Sequence, residues 1–358
     1  MSAAGLGAAT GLVLVALAGC GKSISPPPQC VVATHGRAYA ETVEQASALA
    51  SDLDRNWEAV RDLVPGCRDV SVDVWVVREL EEAQADFDFT DMTAFSIREP
   101  PRIVLRAEDQ APREVVHELV HVLADDTWTA LPAFVFEGMA NDAASRLAPR
   151  VEGSMADVVG LLPRLPGFRL RLVSTAPDAP ADFAVSFGDP VLDGPAVQAL
   201  LAQPTTFTTT DYVDRAVGYS LGFVVASRVA DRHGLQGLRA LCEAARARGG
   251  SLVPPGALLE AAELPSDPAG WWPLLLPSLG DAELRTLAHR FAQLVATVTL
   301  RALPGTREEI VTRAAAGLIE LRVGAVGVRL SEVPDVMQEL RQAMPPEADV
   351  TDAAAQGG

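Results

Sequence analysis

The sequence predicts an α+β fold, with an N-terminal part that mixes strands and helices and a helical C-terminal half. Three observations carry this. Val70, Val72, Val74 and Val76 recur at period two, and Arg102-Ile103-Val104-Leu105-Arg106 is a second short apolar run after Pro100-Pro101, both marks of strands. From Gly194 to Met344 apolar residues return at helical spacing in one segment after another. Between these regions, Val115-Val116-His117-Glu118-Leu119-Val120-His121-Val122-Leu123 sets a complete His-Glu-x-x-His in an apolar run with helix signals.

Residues 1 to 19 carry no charge, and their apolar run from Gly11 to Ala18 is too short to span a bilayer, so they read as the core of a signal peptide. Leu17-Ala18-Gly19-Cys20 looks like a bacterial lipobox, in which Cys20 is lipidated and heads the mature chain; a plain secretory signal cut near Gly19 is the other reading. Residues 20 to 34 form a polar, then proline-rich tether, because Pro26-Pro27-Pro28 cannot join a core but can hold a domain off a membrane. The expected location is therefore the bacterial cell envelope, lipid-anchored at the outer membrane or the periplasmic face, with the signal peptide removed. In an oxidising compartment Cys30 and Cys67 are candidates for a bridge, while Cys242 falls in a late helix and no Cys-x-x-Cys occurs. A formal net charge of -18 argues against a nucleic-acid partner, which would need clustered Lys and Arg.

Glu41 to Leu63 carries Val43, Ala46, Leu49, Ala50, Leu53, Trp57 and Val60 at helical spacing and stops at Val64-Pro65-Gly66, which predicts a long amphipathic helix. Between the two strands, Met92 to Ile97 is a candidate edge strand. Pro112 suits the first turn of the next helix, where its missing N–H is not needed. On that helix His117 and His121 lie one turn apart on the same face and can share one Zn²⁺. Glu118, about 100° round from His117, can act as general base on a water whose pKa the ion lowers. A catalytic zinc site usually takes three protein ligands and leaves a further position open. Downstream, Leu131 to Ala140 reads as a second buried helix with Pro132 in its first turn, and Glu137 stands in it either as the third ligand or as one carboxylate among many.

His117-Glu118-Leu119-Val120-His121, a short loop, Leu131-Pro132, an aromatic and Glu137-Gly138-Met139-Ala140 together resemble the gluzincin metallopeptidases, in particular bacterial peptidase MA-like domains. The resemblance implies a zincin-like catalytic domain, Glu137 as the third zinc ligand, and in Gly138 a residue that lets two helices approach closely. Some gluzincins place Asp four residues after the ligand Glu to hold a ligand His. Here that position is Asn141, whose side-chain oxygen can still accept from an imidazole N–H. Similar proteins carry a Tyr at the start of a later helix, which Tyr219 or Tyr212 matches. Its hydroxyl could steady the oxyanion, with His233 as the rival donor and simple core packing as the plain reading. By the same analogy, main chain at Ala94 to Ser96 would bind extended substrate. His35 and His289 lie far from any motif and read as structural or surface residues.

The expected organisation is a zincin-like catalytic part over 35–193 and a helical part over 194–280 that closes the cleft. The best helix of that part runs from Asp211 to His233, with Gly234 just past its end. C-terminal helices follow over 281–344, one of them Arg307 to Val323, and then a small-residue tail over 345–358, expected to be disordered. No internal repeat, glycine-rich phosphate loop or Gly-x-Ser-x-Gly elbow is present. The expected function is zinc-dependent hydrolysis of a peptide or protein substrate, by an endopeptidase because no Gly-x-Met-Glu-Asn of the gluzincin aminopeptidases occurs. The alternative is a non-enzymatic envelope lipoprotein that uses the same fold as an interaction platform. Glu118 counts against it, since a binding protein has no use for the base.

Overall fold

A computed structural model describes residues 13–14, 25–83, 93–107, 112–149, 157–158, 160–185, 192–205, 212–275 and 280–343. The expected lipobox with Cys20, most of the expected signal peptide and the tail over 345–358 lie outside the described residues. The chain is of the α+β class and forms two compact units, Met1–Pro166 with Leu192–Trp271, and Gly167–Val191 with Trp272–Gly358.

The strands of the first unit are β1 (Val13–Leu14), β2 (Gln29–Ala33), β3 (Gly36–Ala40), β4 (Val72–Val77), β5 (Ala94–Arg98) and β6 (Pro101–Arg106). They form one sheet in the order β1-β5-β6-β4-β3-β2. β3, β4 and β6 run parallel, β2 and β5 run antiparallel to β3 and β6, and β1 pairs parallel with β5 at Ser96 and Ile97. Val72, Val74 and Val76 are buried, and so are Trp75 and Val77, which alternation turns to the other face. A central strand of a largely parallel sheet is covered on both faces, and this one reads accordingly.

α1 (Val43–Leu63) makes the crossover from β3 to β4; Thr42 Oγ1 accepts the Gln45 N–H at its start, and it ends just before Pro65. Its stripe of Ala46, Leu49, Ala50, Leu53, Trp57 and Val60 is buried as the spacing predicts, but Val43 at the first turn is exposed. α2 (Pro112–Leu123) follows β6, and every residue from Arg113 to Leu123 is buried. α3 (Ala133–Leu147) comes next, then α4 (Gly194–Leu201), α5 (Tyr212–Ala247) and α6 (Pro255–Ala261). α5 is interrupted at Gly234, whose φ of 65° only glycine adopts freely, so the helix ends at His233 as expected and a new one starts.

α3 and α5 touch backbone to backbone. A methyl on Gly138 would overlap the Gly222 carbonyl, and one on Gly222 would overlap the Phe134 carbonyl. Gly138→Ala should therefore cost about 1–3 kcal/mol through overpacking, read as a lower thermal midpoint. An unchanged midpoint would show that the helices have room to part.

In the second unit β7 (Leu170–Ser174), β8 (Ala181–Val185), β9 (Ile319–Val323) and β10 (Val326–Arg329) form a sheet in the order β10-β9-β7-β8. α7 (Trp272–Leu275), α8 (Asp281–Arg290), α9 (Ala292–Ala302), α10 (Arg307–Ala315) and α11 (Pro334–Gln342) accompany it. Two expectations are corrected here. Arg307 to Val323 is not one helix: α10 stops, Gly317 with φ 72° turns the chain, and Ile319, Leu321 and Val323 alternate as the buried residues of β9. The boundaries expected after 193 and 280 also move, because β7 pairs with β9, Leu172 opposite Leu321, and draws 167–191 into the second unit. No helix among the described residues is long and apolar enough to cross a membrane.

Candidate metal centre

α2 carries Arg113, His117 and His121 at four-residue intervals, and α3 carries Glu137, Asn141 and Ser145 at the same interval, so each triplet lines one helix face. The two faces meet in antiparallel order: Arg113 reaches Ser145 and Asn141, His117 lies between Asn141 and Glu137, and His121 lies by Glu137.

His117 Nε2 and His121 Nε2 are 3.2 Å apart, and Glu137 Oε2 is 3.3 Å from the first and 3.5 Å from the second. All three side chains are buried. Asn141 Oδ1 accepts the His117 Nδ1–H at 3.0 Å, which leaves the lone pair of that ring on Nε2. Glu137 Oε2 is close to both rings yet has no partner in hydrogen-bond geometry among the described residues. Three electron-pair donors thus converge in a dry place, an arrangement that a cation at their centre relieves. For a tetrahedral ion bonded at about 2.0–2.1 Å, neighbouring donors stand about 3.3–3.4 Å apart, and the three separations bracket that length. The group could hold a metal ion.

Burial sets the charge states around it. It lowers His121 to about 3 and takes His117 below its ordinary value, where the Glu137 carboxylate pulls the other way. Burial likewise raises Glu137, against the pull of His117. It pushes Glu118 well above the usual carboxylate range; the nearby Ser96 hydroxyl opposes this, although its Oγ falls short of hydrogen-bond geometry. Neither Glu118 oxygen has a hydrogen-bond partner among the described residues, so a strong acceptor waits beside the triad.

Arginines fix the C-terminal end of α2. Arg68 Nη2 donates to Val122 O at 2.7 Å and Arg98 Nη2 to Ala124 O at 2.8 Å, satisfying carbonyls that the helix cannot and placing cations at the negative end of its dipole. Arg98 is the last residue of β5, so this contact also ties that strand to the helix. The expected edge strand at Met92 to Ile97 is observed as a strand, Ala94–Arg98, with Met92 outside the described residues, but it is not an edge: β1 pairs with it on the side away from β6.

The structure disposes of the remaining candidates as follows. Tyr219 is half-buried on α5, with its ring edge-to-face on Phe134 at 5.4 Å, and Phe134 is one turn before Glu137 on α3. Tyr212 starts α5, and its side chain lies outside the described residues. His233 is exposed and is not at the site: α3 and α5 run parallel, with Gly138 against Gly222 and Arg146 paired to Asp231, so His233 lies beyond the level of Arg146. That is on the order of 13 Å along α3 from Glu137. His35 stacks on Trp57 at 4.0 Å and meets Glu58 at 3.0 Å, and His289 meets Asp335 at 2.8 Å, as structural and surface residues do.

The expected Cys30 to Cys67 bridge is absent. Cys30 is exposed on β2 at the edge of the sheet, whereas Cys67 is held by Val64 O and by the isolated bridge to Ala124 at the end of α2. Burial pushes the Cys67 and Cys242 thiols up to about 12. At pH 8 their thiolate fraction is therefore about 10⁻⁴, and iodoacetamide should modify Cys30 well before either, as read by peptide mass. Equal labelling of all three would overturn this.

Sequence reasoning missed Arg113, Ser145 and Asp157. Arg113 stands four residues before His117 and Ser145 four after Asn141, which was a usable signal, but nothing local marks Asp157. Compared with protein-family models, curated proteins and solved structures, the chain finds no match.

Proposed function

We propose that the chain is a zinc-dependent peptidase, an endopeptidase cleaving peptides or proteins at the bacterial cell envelope. The observation that carries this is the convergence of His117, His121 and Glu137 at separations suited to a tetrahedral ion, with the buried Glu118 carboxylate, which has no hydrogen-bond partner among the described residues, next to them. Two imidazoles and one carboxylate are a donor set that suits Zn²⁺, which when bound acts as a Lewis acid on water and carbonyl oxygen. His117 and His121 would hold it through Nε2 and Glu137 through Oε2. Asn141 keeps the His117 proton on Nδ1.

Glu118 takes a proton from water at a carboxylate oxygen and returns it to the leaving amine nitrogen. One water enters, one C–N bond breaks, and an acid and an amine leave. For the oxyanion we retain Tyr219, a hydroxyl donor on the helix that packs against the one bearing Glu137. The main chain of β5 is assigned to extended substrate, a reading supported by the extended Val13–Leu14 segment paired with it. The test is cleavage of a peptide library by the purified protein. Cleavage that a chelator stops and Zn²⁺ restores is expected, and no cleavage by zinc-loaded protein would sink the peptidase reading.

The envelope location rests on Leu17-Ala18-Gly19-Cys20 and the proline spacer behind it. Expressed in a bacterium, the protein should fractionate with membranes, and Cys20→Ser should release it or block its processing. Recovery of both forms in the cytosol would refute the anchor.

A further inference from the structure

We propose that the buried Arg113–Asp157 ion pair is a positioning device for the metal centre, acting through Asn141 to choose which nitrogen of His117 carries the proton. The inference rests on the metal-site reading above and extends it one layer outward. Arg113 Nη2 donates to Asp157 Oδ2 at 2.9 Å and to Asn141 Oδ1 at 3.4 Å, and Arg113 Nη1 donates to Ser145 Oγ at 2.7 Å. Asn141 Oδ1 is the same atom that accepts from His117 Nδ1. The chain from Asp157 to His117 is thus continuous, and the side chains of Arg113 and Asp157 are 6% and 5% exposed.

The chemistry of the groups makes this chain directional. A guanidinium only donates, so an Asn amide facing it must present its oxygen and not its NH₂. With the oxygen turned that way, the ring nitrogen on the other side of Oδ1 must be the donor. His117 is then held as the Nδ1–H tautomer and its Nε2 lone pair is directed at His121 and Glu137. Were the amide free to turn over, its NH₂ would favour a bare Nδ1, and the proton would move to the nitrogen that has to bind the ion. A buried ion pair is weak evidence of stabilisation, because desolvation offsets most of its attraction. Fixing one amide and one tautomer is the specific work that this pair is placed to do.

The experiment reads the imidazole nitrogens directly. In ¹⁵N spectra of the metal-free protein, with five His in the chain, the His117 ring should appear as Nδ1–H in the wild type. Arg113→Met should shift it towards Nε2–H and weaken metal binding about 10–100-fold in chelator competition. His121, whose Nε2 is 3.2 Å from that of His117, should respond with it, whereas His35 against Trp57 and Glu58 and His289 against Asp335 should keep their patterns, which separates positioning from a general loosening. Arg113→Met takes the guanidinium away from the buried Asp157 carboxylate and can fail to fold, so Arg113→Met with Asp157→Leu removes both charges together and should show the same shift. Arg113→Lys, still a pure donor, should restore the wild-type tautomer. A folded double variant with His117 wholly Nδ1–H and unchanged affinity would overturn the proposal. If the wild type binds no metal at all, the zinc reading fails, while the ring nitrogens still decide this one.

Discussion

Glu118→Gln should keep the fold and the metal while lowering chelator-sensitive cleavage by about 10²–10⁴-fold, the usual worth of a general base. Gln has the shape of Glu and cannot take a proton, and Glu118 is adjacent to the triad without belonging to it. Its carboxylate is fully buried with neither oxygen hydrogen-bonded among the described residues, which raises its affinity for a proton and makes the ionised form expensive to hold. The metal-free variant should accordingly melt no lower than the wild type. Kinetics against the same library, with metal content measured in parallel, check both halves. Equal cleavage by wild type and variant would show that Glu118 is not the base, and loss of metal from the variant would show that it is a ligand instead.

Removing a ligand should have a comparably large effect by another route. The wild type should purify with, or take up, about one zinc per chain, and His117→Ala and Glu137→Ala should each lose most of it, because each leaves two donors where three are needed. His35→Ala, which removes a ring that stacks on Trp57 and meets Glu58, should bind metal like the wild type. Elemental analysis after dialysis against zinc at neutral pH reads this. Neutral pH is suitable because burial lowers both ligand histidines, His121 to about 3, so neither ring has to give up a proton first. Full metal retention by Glu137→Ala would remove that residue from the ligand set. No metal in the wild type would end the zinc reading.

Much of the centre could be read in the sequence because it is built from two neighbouring helices. His117, Glu118 and His121 are one turn of α2, and Glu137 and Asn141 are one turn of α3 shortly after it. The four-residue interval alone puts each pair on one face, whatever the rest of the chain does. The amphipathic α1, the valine alternation of β4 and the glycine break after His233 were legible for the same reason: period, caps and left-handed glycines are local. The sequence by itself therefore determined these elements and which of their side chains share a face.

Only the tertiary structure decided what those faces meet. The parallel packing of α3 on α5 keeps Tyr219 near the level of Phe134 and carries His233 away, a choice that two plausible-looking residues on one helix could not make. The pairing of β7 with β9 redrew the units, and β9 itself was hidden in a run whose Ala and Leu content reads as helix. Ser96 beside Glu118, Arg68 and Arg98 on the end of α2, and Asp157 behind Arg113 are all contacts between residues far apart in the chain. Such contacts leave no periodic trace, because they follow from which surfaces pack to exclude water and not from the order in which residues occur.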